Sequence, residues 1–417
     1  MKEQLSETKY ANEKQEDRYF NDQERGCHQV FKTSTYEEFK DINPDRVEGT
    51  CRWVLSNRQY IAWRENDRGD LLWISADPGC GKSVLTRSLV DRELRNTDKH
   101  TVCYFFFKDN EQQDNLAIAL CALLHQLFNR RNRLIRHAMS PWKENGTKLQ
   151  QEVAELWRIL CAAGSDDGAG DVTVIFDAID ECRPSDRTRL IKMLSTFHND
   201  VFRYPESIGT KQQNARLKFL VTSRPYNDIQ YDFGKMLLED LPTIRLRGEF
   251  ENDMIHEEID LVIRAEVDVI ARRWRLHSDK KTRLEKQLLA MNHRTYLWLH
   301  LALSNIETTF QSSLRPNEVS VDSLPKTVED GYERILSSVM STSKGYVQKI
   351  FQIIVATRRP LTVEEMGFAL GLATSSNNGS LESSKIEATL IREKISQWCG
   401  LFVFINHSKI YLLISSG

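Results

Sequence analysis

No apolar run in the 417-residue sequence approaches the roughly 20 residues needed to cross a bilayer, so no helical membrane span is expected. The opening stretch MKEQLSETKYANEKQEDRYF has neither an apolar core nor a small-residue cleavage site, which argues against secretion. Charge of one sign is also missing. Lys and Arg number 57 against 59 Asp and Glu, for a formal net charge of −2, which gives no global attraction for nucleic acid or anionic lipid. The local cluster Arg130, Arg131, Arg133 and Arg136 reads as a solvated helix face. The eight cysteines contain no CxxC pair, and the adjacent Cys27 and His28 lack a second pair at metal-ligand spacing, so zinc is not expected. Scattered thiols fit a reducing compartment, and the expected address is cytoplasmic. No repeat of 20–50 residues is visible.

What is present is an ordinary globular composition, 40% hydrophobic and 28% charged, in a chain long enough for two or three domains. Residues 1–40 are polar and read as a solvated helix or a disordered leader. From about Val47, apolar residues including Trp53, Tyr60 and Trp63 recur at helical intervals. Strand and helix then alternate, as βα units around a mostly parallel sheet require: Leu71–Ser75 with Ser83–Asn96, then Thr101–Phe107 with the apolar Leu116–Phe128. A flexible GSDDGAG (164–170) precedes the strand Val172–Phe176 and a helix near Asp186–Phe197. Leu217–Thr222 is a fourth strand and Thr243–Leu246 a fifth. Residues 252–308 are helical in pattern, SSLRPNEVSVDSLPK reads as a linker, and 327–372 are helical again. Within RRPLTVEE, Thr362 is the expected N-cap with Glu365 as its capping-box partner. TSSNNGSLESS reads as a loop, and LFVFINHSKIYLLI as two short strands around a turn.

The chemistry concentrates in three segments. ADPGCGKS, residues 76–83, stands between an apolar strand and an amphipathic helix and differs by one residue from the phosphate-binding P-loop, with Ala76 at the usual first glycine. Such a loop surrounds phosphates with backbone N–H groups and a helix N-terminus. Gly79 and Gly81 supply permissive backbone, Lys82 a charge for the terminal phosphates and Ser83 a Mg²⁺ ligand. Asp77, Pro78, Cys80 and Val84 complete the expected nucleotide-binding stretch, and the Ala76 methyl is tolerable unless its φ must be positive. The second segment, VTVIFDAIDEC, runs an apolar strand into Asp177, an expected Walker-B acid holding Mg²⁺ through water. Asp180 and Glu181 are candidates to polarise a water, against a competing reading as N-cap and first-turn acids. In the third, KFLVTSR, a strand ends in Arg224, positioned to reach a γ-phosphate.

In this order and spacing, ADPGCGKS, FDAIDEC and VTSRP resemble the NACHT-type, nephrocystin-like NTPase domains of signal-transduction ATPases, abundant in filamentous fungi as NOD-like receptors. The resemblance extends upstream to FKTSTYEEFKDINPDRVEGTCRWVLSNRQYIAW, which looks like the family's lead-in. Downstream, RTYLWLHLAL, LPKTVEDGYERIL and RRPLTVEEM look like its helical and winged-helix parts, so that about residues 27–412 are covered. The resemblance implies an αβα P-loop sandwich followed by a helical and a winged-helix-like domain. It implies a switch held closed by ADP, opened by ATP toward homo-oligomerisation and signalling to a protein partner, and reset by slow hydrolysis. It carries over Gly79, Gly81, Lys82 and Ser83 to phosphate and Mg²⁺, Asp177 to the Walker-B acid, Asp180 and Glu181 to hydrolysis, and Arg224 to the sensor.

The domains then read as a leader over 1–40, the NTPase with its lead-in helix over 41–248, a helical domain over 249–310, a linker over 311–326 and a winged-helix-like domain over 327–417. Two departures stand out. Ala178 replaces a glycine common after the Walker-B aspartate. The family's His-containing segment beyond the winged helix is not found before the final YLLISSG, and His407 reads as a solvated turn residue. Two other classes compete: a nucleotide-holding scaffold without turnover, and a P-loop small-molecule kinase. Lys and Arg are not concentrated in 327–417, so nucleic-acid binding through the winged helix is not expected.

Overall fold

The computed structural model describes residues 22–76, 80–110, 112–203, 216–225, 229, 233, 241–246, 253–291, 296–311, 313–318, 333, 345–374, 386–399, 403–406 and 408–412. By its internal contacts the chain divides into two compact units, one comprising 1–46, 51–77 and 81–247, the other 47–50, 78–80 and 248–417.

In the first unit, helices α1 (Tyr36–Asp41), α2 (Arg52–Leu55) and α3 (Arg58–Glu65) lead into β1 (Asp70–Ala76) and α4 (Lys82–Ser88), whose last turn continues as a π-helical segment, Leu89–Glu93. There follow β2 (His100–Phe106), α5 (Leu116–Arg130), α6 (Arg136–Asn145), α7 (Val153–Gly164), β3 (Asp171–Asp177), α8 (Pro184–Arg203), β4 (Arg216–Ser223) and β5 (Thr243–Leu246). The strands form one parallel sheet in the order β2-β3-β4-β1-β5. The mostly parallel sheet expected from the alternation, and the αβα P-loop arrangement implied by the resemblance, are the ones observed.

Burial on both faces explains why these strands read as continuous apolar runs rather than alternating ones. Leu71, Trp73, Cys103, Val174, Phe176, Phe219 and Val221 share one cluster with residues of α5, α7 and α8. Their sequence neighbours Leu72, Ile74, Val102, Ile175 and Leu220 are buried too. Trp157 of α7 stacks on Phe219 with ring centroids 5.2 Å apart. Eleven of the fifteen α5 residues are buried, and a buried aliphatic side chain contributes about 1.5–3 kcal/mol. Its N-cap is Asn115, whose carboxamide oxygen accepts from the amides of Ala117 and Ile118 at 2.8 and 3.2 Å. Gln126 of the same helix protects the sheet edge. Its amide accepts from Tyr104 N at 3.0 Å and donates to Tyr104 O at 2.8 Å, satisfying both backbone groups of a β2 residue that no further strand reaches among the described residues.

Three expectations change. The polar leader is not solvated throughout: Cys27, Phe31, Tyr36 and Phe39 lie in the main core, because a few apolar residues in a charged stretch suffice to dock it. The GSDDGAG segment is an anchored turn rather than a flexible one. Asp166 accepts from Gly168 N at 2.9 Å and from His137 Nε2 at 2.7 Å, and it pairs with Arg136, which holds its carboxyl down to about 2. The helix after the P-loop is α-helical only as far as Ser88.

In the second unit, α9 (Asp253–Arg273), α10 (Ser278–Leu289) and α11 (Tyr296–Gln311) precede β6 (Leu361–Thr362), α12 (Val363–Thr374), α13 (Ala388–Cys399), β7 (Val403–Asn406) and β8 (Lys409–Leu412). β6, β8 and β7 form an antiparallel sheet beside a core that includes Val347, Met366, Leu370, Ile395 and Ile410. The capping box at α12 has the expected geometry: Thr362 N donates to Glu365 at 2.9 Å, and Glu365 N donates to Thr362 Oγ1 at 3.1 Å. The two-residue strand β6, paired with β8, is not legible in the sequence. The TSSNNGSLESS loop apart from Thr374, which ends α12, most of the 311–326 linker and His407 lie outside the described residues.

All eight cysteines are free, and all but Cys161 are buried. Burial pushes the Cys103 and Cys121 thiols up to about 12. No described helix is long and apolar enough to cross a membrane. Among the described residues no group of three or more His, Cys, Asp or Glu side chains is arranged to hold a metal ion.

Candidate functional site

Strand β4 lies between β1 and β3, so three strands end side by side and bring Ala76, Asp177 and Ser223 to one edge of the sheet. The three segments read from the sequence as P-loop, Walker-B and sensor meet there. Asp77, Pro78 and Gly79 lie outside the described residues. Ala76 is the last residue of β1, in register with Leu246, and is not among the positive-φ residues, so its methyl imposes no strain. Gly81 does need its freedom. It caps α4 in the left-handed region, φ 72° and ψ 22°, and its carbonyl accepts from Leu85 N at 2.8 Å. The first residue of α4, Lys82, reaches back across the loop to donate to Ala76 O at 2.7 Å. That contact uses the backbone of residue 76 and does not depend on its side chain.

Asp177 is buried at the end of β3 and receives three hydroxyls. Ser83 Oγ is 2.6 Å from Oδ2, while Thr86 Oγ1 and Thr222 Oγ1 are 2.6 and 2.7 Å from Oδ1. Burial raises its pKa, and the three hydroxyls and the Lys82 charge oppose that shift. The arrangement holds a carboxylate in one orientation beside the P-loop hydroxyl. A hard divalent cation with phosphate ligands commonly takes only one or two protein oxygens. Ser83 Oγ and the Asp177 carboxylate are such a donor set, so these residues fit Mg²⁺. Val84 follows in the first turn of α4, and Cys80 is buried.

Beyond Asp177 the chain turns through Ala178, at φ 54° and ψ 52°. That left-handed conformation accounts for the glycine of related sequences, since alanine adopts it at a cost of about 1–2 kcal/mol. Asp180 and Glu181 then sit in a short 3₁₀ turn, Ile179–Glu181, without capping it. Asp180 instead engages Arg224, accepting from its backbone N at 3.0 Å and standing 3.3 Å from its Nε. Glu181 lies 3.5 Å from the same guanidinium. Burial and the neighbouring carboxylates of Asp180 and Asp177 raise the Glu181 pKa to about 7, against the opposing pull of Arg224 and Lys108. Two acids with unequal freedom result: Asp180 is 1% exposed and engaged by Arg224, whereas Glu181 is 27% exposed.

Sequence reasoning missed Thr86, Thr222 and Lys108. Thr86 follows Ser83 by three residues, the helical spacing at which both hydroxyls face the same acid. Thr222 directly precedes the Ser-Arg pair read as a sensor, and only the strand order shows that it faces Asp177.

Sequence comparison bears on the family of this sheet-forming region. Residues 49–224 match the family described as nephrocystin 3, N-terminal. That match supports a NACHT-like NTPase over this part of the chain. Residues 255–322 match a domain of unknown function, DUF7069. The chain is 24% identical over 371 residues to the vegetative incompatibility protein HET-E-1 of Podospora anserina. That alignment covers 88% of this chain but 25% of HET-E-1, so the chain spans about a quarter of its relative's length. Among solved structures it is similar to Aeropyrum pernix ORC2 in its ADP form, at 12% identity and a TM-score of 0.38, covering 91% of this chain and 94% of that one. It is also similar to the ADPNP-ADP complexes of the same protein, at 13% identity and a TM-score of 0.40, covering 89% and 92%. The fold assignment rests on the sheet order described above.

Proposed function

We propose that the chain is an ATP- and ADP-binding molecular switch of the NOD-like receptor type, with slow hydrolysis. The observation that carries this reading is the 2.6 Å contact between Ser83 Oγ and Asp177, which joins two motifs 94 residues apart into one site. In this reading the backbone of 76–84 and the Lys82 ammonium bind the phosphates, and Ser83 with Asp177 holds Mg²⁺, the latter through water. Bound Mg²⁺ supplies charge neutralisation at the phosphate oxygens. Glu181 is the preferred base because Asp180 is engaged by Arg224, and Arg224 is the group that meets the terminal phosphate.

A phosphate that draws the Arg224 guanidinium away breaks its contacts with Asp180 and Glu181. The guanidinium's exchange between Asp180 and Glu181 on one side and a γ-phosphate on the other is the differential contact a nucleotide switch requires. Homo-oligomerisation on activation, an unidentified protein partner, a cytoplasmic location and a role in fungal non-self recognition belong to this proposal by resemblance. So do the helical domain at 249–310 and the winged-helix-like domain at 327–417, for which the helices α12 and α13 beside a three-stranded sheet give support.

Steady-state phosphate release from Mg·ATP tests the assignment. Slow turnover lost in Lys82→Ala, with nucleotide affinity about 10- to 100-fold weaker, is expected from removing a charge-assisted contact. Unchanged ATP affinity in Lys82→Ala would contradict the site.

A further inference from the structure

A second concave site lies at the opposite end of the sheet. A cleft of about 380 Å³ opens where β2, β3 and β4 begin. Those strands are seven or eight residues long, so at roughly 3.3 Å per residue the cleft is about 20 Å from Asp177. Its walls carry four cations, Arg64, Arg92, Arg95 and Lys218, against two acids, Glu93 and Asp171. Glu93 is already engaged by Arg46 at 2.8 Å. Arg92 and Arg95 have no carboxylate partner among the described residues; each directs one nitrogen to a backbone carbonyl, Arg46 O at 3.4 Å and Arg92 O at 3.0 Å.

The cleft is built from ordered parts. Lys218 is 7% exposed and donates to Trp63 O and Arg64 O, both at 2.8 Å. His100 Nε2 and Thr173 Oγ1 are 2.9 Å apart. The rim is pinned by Asn96, whose side chain accepts from Val102 N at 2.8 Å. Trp63, 2% exposed, also lines the cleft, and its buried indole N–H has no hydrogen-bond partner among the described residues. The exposed Arg92 and Arg95, with no carboxylate among the described residues to neutralise them, leave a surplus of positive charge on the cleft wall. That surplus is complementary to an acceptor-rich, negatively charged group.

We infer that this cleft is a second ligand site, distinct from the P-loop, for a small oxyanion-bearing molecule. Arg92 and Arg95 supply the charge, and the Trp63 ring forms part of the wall beside them. The inference does not rest on nucleotide binding at the P-loop.

The test uses the whole chain labelled with 5-fluorotryptophan and titrated separately with inorganic phosphate and with citrate, followed by ¹⁹F NMR. The expected result is a saturable shift of the Trp63 resonance, identified by its loss in Trp63→Phe. A response to phosphate alone assigns a phosphate-bearing ligand, and one to citrate alone a carboxylate-bearing one. The shift should persist in Lys82→Ala. In the doubly substituted Arg92→Ser, Arg95→Ser protein, whose changes lie on the surface, affinity should fall about 10-fold or more. Three results would each overturn the inference: no tryptophan shift with either probe, a shift indifferent to loss of both arginines, or a shift abolished by Lys82→Ala.

Discussion

Thr222 is the hinge pin between the two halves of the NTPase site: its hydroxyl accepts from Ala178 N at 2.8 Å and stands 2.7 Å from Asp177 Oδ1. One buried oxygen therefore ties the Asp177 carboxylate to the left-handed turn after it. Thr222→Val keeps the shape and removes the hydroxyl, leaving the Ala178 amide unsatisfied. A loss of about 1–3 kcal/mol in urea unfolding is expected, with nucleotide affinity reduced as well. An unchanged midpoint would show that the oxygen holds nothing.

Glu181 sets a pH signature. Its folded pKa, about 7, lies above the ordinary carboxylate value of 4.5 because of burial and the nearby Asp180 and Asp177. Between those values the folded state holds more protons than the unfolded one, so stability falls as pH rises from about 4.5 to about 7. Glu181→Gln should remove that part of the slope. If the carboxylate is the base, turnover in the unsubstituted protein rises through about pH 7 as Glu181 ionises. In Glu181→Gln, binding should then persist while hydrolysis drops. Turnover equal to that of the unsubstituted protein would move the role to Asp180 or remove it.

Ala178 gives a backbone prediction. At φ 54° the strain of alanine and the extra unfolded-state entropy of glycine are of similar size, about 1 kcal/mol each. Ala178→Gly should therefore be neutral to mildly stabilising by denaturant titration. Ala178→Val, a β-branched residue at positive φ, should cost more than about 1 kcal/mol. The opposite order would contradict the turn geometry.

The capping box at α12 is testable apart from the NTPase site. Thr362→Ala removes the acceptor for Glu365 N and should cost about 1 kcal/mol of local stability, read as faster amide exchange in the first turn of α12. Unaltered exchange at Glu365 would show that the box does not hold the helix.

Much of this was legible in the sequence for physical reasons. Buried parallel strands must be apolar on both faces, so Leu71–Ser75, Val172–Phe176 and Leu217–Thr222 announced themselves, and the Gly81–Lys82–Ser83 step is constrained by backbone geometry. The capping box was readable because both of its partners lie three residues apart. What was hidden depends on strand order. Nothing in the local sequence says that Thr222 faces Asp177, since that follows from β4 entering between β1 and β3. Nor does sequence spacing show that Arg224 rests on Asp180. The docking of Phe31 and Tyr36 was obscured by the charged residues around them. The left-handed turn at Ala178 explains why a glycine suits that position, which the sequence alone did not show.

The most direct measurement is to denature the purified chain, identify any released nucleotide by chromatography, and repeat this with Lys82→Ala. The account predicts ADP or ATP released from the unsubstituted protein and lost with the lysine, together with slow phosphate release from Mg·ATP. An empty protein that gains no thermal stability from Mg·ATP would contradict it, and the chain would then be read as a scaffold on an NTPase fold.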